Sequence, residues 1–250
     1  MLSKNTIKFF KSLHQKKYRI AHQQFFVEGR KSVLELLESS FVTDCVYATH
    51  EFLDTYGDLL RQAKVSFELA TPAQLESMGQ YQSNDSAIAL VRMKENQLPE
   101  IQSSDWVLAL DDVRDPGNLG TIIRIADWYG IKNLLFSKQT ADFYNPKVIQ
   151  STMGSFTRVN FYYCDLAEVL KELNLPVYGA FMDGENVHSI QSVEQGVLLM
   201  GNESNGVSQE LEPFISKKLA IPAFGQAESL NVAVATAILC DNLKRITSGK

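Results

Sequence analysis

The 250-residue chain is 45% hydrophobic and 21% charged, with 14 Gly and 7 Pro, which excludes a largely disordered protein and leaves room for one large domain and one small one. No window approaches the about eighteen apolar residues of a membrane span, and the N-terminus lacks the apolar stretch of a signal peptide, so a cytoplasmic protein is expected. Three cysteines, Cys45, Cys164 and Cys240, lie far apart in apolar runs and predict reduced core thiols, not a disulfide framework or a zinc site.

The net charge of -5 argues against a nucleic-acid partner until it is divided along the chain. Residues 1–31 carry Lys4, Lys8, Lys11, Lys16, Lys17, Arg19, Arg30 and Lys31 against the single acid Glu28, about +7, which leaves about -12 for the remainder. Residues 1–22 therefore read as a basic N-terminal arm. It is either a solvated helix or a phosphate-contacting face, with Phe9, Phe10, Tyr18 and His22 interleaved for packing or base stacking. In the second case Lys11, Lys16, Lys17, Arg19 and Arg30 are the candidate nucleic-acid contacts.

Residues 23–95 alternate short apolar runs with helical patterns ("QFFVEG", "RKSVLELLESS", "DCVYAT", "KVSFEL", "TPAQLESM", "SAIALVRM"), which predicts a small α/β domain. Thr71-Pro72 is a helix start with Thr71 as N-cap and Pro72 at the first helical position. Residues 96–104 are polar, contain Pro99 and have no periodicity, so they read as a linker. From residue 105 onward, strand candidates "WVLALDDV", "NLLFS", "RVNFYY", "PVYGAFM", "GVLLMG" and "KLAIP" alternate with helical segments, the pattern of a mostly parallel sheet covered on both faces. Ligands of such sheets bind outside the carboxyl ends of the strands.

Three stretches stand at those ends. In "DDVRDPGNLGTIIRIADWYG" (111–130), Leu119, Ile122, Ile123, Ala126 and Gly130 form one apolar helical stripe, and Arg124 points away from it. Taken alone, this stretch reads as a helix with Asn118 as N-cap after a Pro-Gly turn and Arg124 as a surface residue paired with Asp127. "GVLLMGNESNGVSQEL" (196–211) breaks at Gly201 into a turn that is either structural or shaped for close backbone approach to a ligand. "KLAIPAFGQAESLNVAVATAIL" (218–239) ends a strand at Ile221-Pro222 and opens a helix at Ser229-Leu230-Asn231, where Ser229 reads as a helix cap or as a site residue.

Together, and in this order, the three stretches resemble the signature motifs of the SpoU/TrmH-type branch of the SPOUT RNA 2'-O-ribose methyltransferases. Asn118 to Arg124 matches the first motif. Gly201-Asn202-Glu203 with Gly206 matches the second, and Ile221-Pro222 through Ser229-Leu230-Asn231 the third. "FFVEGRKSVLELL" (25–37) is similar to the opening of the L30e-like substrate-binding domain that precedes many of these catalytic domains. Two features depart from the family pattern: Ala223-Phe224 stands where relatives often have methionine, and "NVAVAT" replaces a serine-containing version.

The resemblance implies an α/β fold: a SPOUT-type parallel sheet over 105–250 whose C-terminal part threads a trefoil knot. It also implies a homodimer with active sites near the subunit interface, S-adenosyl-L-methionine as cofactor, and structured RNA, ribosomal before transfer RNA, as partner. Cofactor contacts are implied at Met200, Gly201, Asn202, Gly206, Ile221, Pro222, Ser229 and Leu230. Arg124 is implied to engage the ribose hydroxyl, supported by Ser229, Asn231, Asn118 and Glu203. Glu203 is the expected orienting partner of the Arg124 guanidinium, and Ser229 is expected to position Arg124 or the ribose.

No histidine lies in the three motifs and no metal-ligand cluster accompanies them, so no metal is expected. A guanidinium normally stays protonated, so stabilisation of a developing alkoxide is the preferred role over proton removal. A nicotinamide-dependent oxidoreductase is disfavoured, because "DPGNLG" is not G-x-G-x-x-G. A catalytically inactive RNA-binding module of the same fold is the remaining alternative.

Overall fold

The computed structural model describes residues 2–248. It forms two compact units, Met1–Glu95 with Asp142–Thr157, and Asn96–Ala141 with Arg158–Lys250.

The first unit contains α1 (Lys4–Leu13), α2 (Lys16–His22), β1 (Gln24–Glu28), α3 (Arg30–Leu37), β2 (Thr43–Ala48), α4 (His50–Gln62), β3 (Phe67–Leu69), α5 (Pro72–Met78) and β4 (Ala87–Arg92). Its sheet runs β1-β4-β2-β3, with β4 antiparallel to both neighbours. The α/β alternation is as read from sequence, and Thr71 caps α5 in a full capping box with Gln74.

Of the basic segment, residues 2–22 are not a free arm. Ser3 caps α1, and Phe10 and Leu13 are fully buried, with Phe10 packed edge-on to Tyr47. A charge count registers the exposed lysines of such a helix and not the apolar face that ties it down.

Arg19, an expected RNA contact, is buried on α2. It is 2% exposed and holds the end of α1: Nη1 donates to the carbonyls of Leu13 (2.7 Å) and His14 (3.0 Å), and Nη2 to Asp142 (2.5 Å). A buried arginine that satisfies helix-end carbonyls is not a phosphate contact.

Asp142 comes from a segment that the sequence reading placed wholly in the C-terminal domain. Residues 142–157, with α7 (Pro146–Ser151), cluster with the first unit instead, through Tyr144 and Phe156 on Phe25. Asp142→Asn leaves the Arg19 charge buried without a counter-ion, and is expected to destabilise the protein by about 3 kcal/mol. A denaturation midpoint equal to that of the wild type would refute this role.

Within "FFVEGRK", the buried Glu28 carboxylate accepts from the N–H groups of Gln80 and Tyr81 (2.9–3.2 Å). Burial pushes its carboxyl up, and those N–H groups partly oppose the shift. Gly29 follows at φ +88°, where a side chain would also meet the Tyr81 ring at 2.8 Å.

The second unit contains β5 (Val107–Leu110), α6 (Pro116–Trp128), β6 (Asn133–Ser137), β7 (Asn160–Cys164), α8 (Leu166–Leu173), β8 (Val177–Asn186), β9 (Val197–Met200), β10 (Lys217–Ala220) and α9 (Val232–Ser248). All six expected strands are present. They form one sheet, ordered β10-β8-β9-β5-β6-β7, in which every pair is parallel.

Leu119, Ile122, Ile123 and Ala126 are buried on α6 as expected. Gly130 is not part of that stripe: it is exposed at φ +65° and ends the helix. The cysteines are free, and burial pushes their thiols up to about 11 at Cys45 and Cys164 and about 12 at Cys240.

Candidate active site

The carboxyl ends of four neighbouring strands, in the order β10, β8, β9, β5, carry the unusual segments of the second unit. The first motif begins after β5. Asp115, not Asn118, is the N-cap of α6: its carboxylate accepts from the Asn118 N–H (2.8 Å), and Pro116 fills the first position. Asp and Asn cap on equal terms, so the residue types alone give no preference for Asn118, the cap read from sequence, over Asp115. The assignment leaves the Asn118 side chain for other partners.

The second motif leaves β9 at Met200. At Gly201 an added Cβ would meet the backbone of Gly206 and Val207 at 2.2–2.4 Å, so the chain folds back on itself where only glycine fits. Asn202 and Gly206 exchange two backbone hydrogen bonds (2.9 Å each), with Gly206 at φ +69°. The Asn202 side chain accepts from the Ser204 and Asn205 N–H groups and donates to the Asp112 carbonyl (2.8 Å). Asp112 is itself in the left-handed region, at φ +58°. The backbone and side chain of Asn202, an implied cofactor contact, are engaged with protein and shape the loop.

The third motif starts where β10 ends. The backbone of residues 221–230 makes no hydrogen bond among the described residues. Asn231, not Ser229, caps α9, accepting from the N–H groups of Ala233 (2.9 Å) and Val234 (3.4 Å). Ser229 is exposed and makes no hydrogen bond among the described residues, so the capping alternative for it falls away.

One chain of hydrogen bonds joins all three motifs. Asn231 Nδ2 donates to Asn118 Oδ1 (2.9 Å), and Asn118 Nδ2 donates to Glu203 Oε1 (2.8 Å). Its direction is set at both ends. A carboxylate only accepts, so Asn118 presents its NH2 to Glu203 and its oxygen to Asn231; the Asn231 oxygen is taken by the helix N–H groups.

Arg124 stands apart from this chain. Six helical residues beyond Asn118, it lies about 9 Å along the axis and on another face. It is exposed, and among the described residues no ion pair reaches it. Its alternative partner Asp127 binds Arg158 instead, with Nη2 at 2.8 Å. Among the described residues neither Glu203 nor Ser229 bonds the guanidinium; Glu203 Oε1 accepts from Asn118 instead. Arg124 shares its stripe with Thr121 and with Trp128, which is 83% exposed.

Two features escaped the sequence reading. The β8–β10 register jumps from Gly179 opposite Lys218 to Glu185 opposite Leu219, so residues 180–184 form an irregularity with no register partner on β10. Gly184 permits it, since a Cβ there would lie 2.6 Å from the Leu219 backbone. The spacing of Gly179 and Gly184 in "YGAFMDGEN" was the available signal. Beside the first motif, Arg114 pairs with Asp112 (2.6 Å), which raises the guanidinium above its ordinary value.

Among the described residues no group of three or more His, Cys, Asp or Glu side chains could hold a metal ion. No helix of the described residues is long and apolar enough to cross a membrane.

Comparison with known proteins agrees with this layout. Residues 105–241 match the SpoU rRNA Methylase family, and residues 4–89 match the MRM3-like substrate binding domain. The 23S rRNA (guanosine(2553)-2'-O)-methyltransferase RlmP of Bacillus subtilis is 33% identical over 95% of each chain. A TrmH-family protein from Porphyromonas gingivalis superposes with a TM-score of 0.84 at 34% identity, over 98% of this chain and 99% of that one. An AdoMet-bound rRNA methyltransferase from Sinorhizobium meliloti superposes with a TM-score of 0.88 at 25% identity, over 98% and 96%. The chain belongs to the SpoU rRNA methylase family.

Proposed function

We propose that this protein transfers a methyl group from S-adenosyl-L-methionine to a ribose 2'-hydroxyl of ribosomal RNA. The observation that carries this reading is the Asn231–Asn118–Glu203 chain, which draws three separate motifs to one end of the sheet. Around it, the Gly201 turn and the hydrogen-bond-free backbone of residues 221–230 offer close approach and unpaired polar groups to a cofactor.

Gly201, Ile221 and Leu230 hold the cofactor through their backbones, with Met200, Gly206 and Pro222 shaping the walls. When bound, that cofactor supplies a methyl group already activated as a sulfonium. The remaining task is to align the ribose oxygen and favour its alkoxide character. Ser229, free of any cap, positions the ribose. Arg124 stabilises the negative charge that develops on the oxygen.

Arg124 does this across a subunit boundary. Trp128 is on its stripe, and Val234, 49% exposed, is on α9, which packs against α6. These exposed apolar side chains support a homodimer in which Arg124 of one protomer serves the pocket of its partner. The trefoil knot belongs to the same reading, supported by family membership and by the placement of β10 outside β8. The first unit is read as an L30e-like RNA-binding domain, and the cytoplasm as the place where enzyme and RNA meet.

Lys4, Lys8 and Lys11 fall on one face of α1, and Lys16, Lys17, Arg30 and Lys31 are exposed as well. Neutralising Lys11, Lys16 and Lys17 together is expected to weaken RNA binding and lower the slope of log affinity against log salt by about 2. An unchanged slope would return these lysines to plain solvation.

The reading is tested by incubating the protein with labelled S-adenosylmethionine and ribosomal RNA from a strain lacking the gene, then digesting to nucleosides. Label in a 2'-O-methylnucleoside supports it. RNA binding without transfer favours the inactive module, and label confined to transfer RNA moves the substrate.

A further inference from the structure

Phe224 sits in the third-motif loop with 97% of its surface exposed, the most exposed large apolar side chain among the described residues. No ring or cation packs on it among those residues. At Gly225 beside it, an added Cβ would meet nothing within 4 Å, so the loop tip stands clear of its own unit. The loop is fixed at both ends, by Ala220 in β10 and by the hydrogen bond from Asn231 to Asn118. Ser229 lies five positions after Phe224, a span of no more than about 17 Å.

An aromatic ring held in water on a loop that leads into the active-site residues Ser229 and Asn231 suits a partner with a flat apolar face. A protein partner buries contiguous apolar area. Here the ring is flanked by Ala223, Gly225 and Gln226, which are small or polar and exposed. An unpaired base fits this setting better, because every base offers a π-face regardless of its identity.

We propose that Phe224 is a substrate-binding residue: its ring stacks on an unpaired base of the RNA next to the ribose being methylated. This rests on the placement of Ser229 and Asn231 in the active site. It adds a contact outside the polar set, one that acts on how the RNA strand is held and not on the chemistry. Loss of one base–aromatic stack lowers affinity about 5- to 150-fold.

The test compares wild type, F224A, F224L and F224W in methyl transfer to ribosomal RNA from a strain lacking the gene. S-adenosylmethionine affinity is measured by calorimetry, and oligomeric state by sedimentation. F224A is expected to lower kcat/KM for RNA at least 5-fold and F224L by a similar factor. F224W stays within 2-fold of wild type, and cofactor affinity and oligomeric state do not change. An F224A enzyme with wild-type kcat/KM, or F224L as good as wild type, overturns the proposal. So does a loss accompanied by weaker cofactor binding, which places the ring against the cofactor, or by dissociation, which places it against the partner subunit. If the wild-type protein itself methylates no RNA, the functional reading fails as a whole, an outcome distinct from any failure of F224A alone.

Discussion

Arg124→Ala is expected to lower kcat for methyl transfer about 100- to 1000-fold, the usual cost of removing one group that stabilises charge developing in a transition state. Thermal unfolding and cofactor affinity should stay at wild-type values. The second expectation follows from the first unusual property of this side chain. Arg124 is exposed and without an ion-pair partner among the described residues, so its removal leaves no buried group unsatisfied. A structural arginine behaves in the opposite way, as Arg19 should.

Its position on the Trp128 stripe, away from Asn118, gives a further consequence. Two inactive variants, R124A and the pocket-blocking L230R, should regain activity when co-expressed. Random pairing of protomers makes half of the dimers mixed, and one of the two sites in each mixed dimer is intact, so about a quarter of wild-type activity should return. No recovery would place Arg124 and the pocket it serves in the same chain. Wild-type kcat in R124A alone would remove Arg124 from the chemistry.

Gly201→Ala is expected to abolish measurable S-adenosylmethionine binding and to destabilise the protein by about 3 kcal/mol. The new Cβ would lie 2.2 Å from the Gly206 carbonyl carbon and 2.3 Å from the Val207 nitrogen. Carbon atoms pack at about 3.5–4.0 Å, and backbone on both sides leaves no flexible side chain to move aside. The turn has to open, which breaks the Asn202–Gly206 bonds and releases the Asn202 hold on Asp112.

Gly206→Ala is the matched control. Space is open around Gly206, so only its positive φ opposes a side chain, at about 1–2 kcal/mol. Calorimetric titration and thermal melts should therefore rank the two variants, with G201A much the more damaged. Equal behaviour, or a G201A protein that binds cofactor normally, would contradict the close backbone approach.

The strands of the second unit were readable because each is a short apolar run bounded by turn residues, and buried parallel strands require such runs on both faces. The three motifs were readable as residues, through resemblance, but their wiring was not. Asn231 and Asn118 are 113 residues apart, Asn118 and Glu203 85 apart, and no local pattern encodes which amide meets which.

Helix caps failed for a different reason. "DPGN" and "SLN" each hold two competent caps, and the choice falls to whichever residue has the first helical turn after it. Arg19 failed because the charge of a basic segment says nothing of its counter-ion, which lies 123 residues away in a segment that joins the first unit. Phe25, Tyr144 and Phe156 announce burial in the sequence, but not that they meet one another.

The most direct measurement maps 2'-O-methylation across all RNA of the source organism with the gene present, with it deleted, and with the R124A version restored. The expected result is one ribosomal RNA ribose that is methylated with the wild-type gene and unmethylated in the other two strains. An unchanged 2'-O-methylation map after deletion, or methylation fully restored by R124A, would contradict the assignment of this chain as an Arg124-dependent ribose methyltransferase.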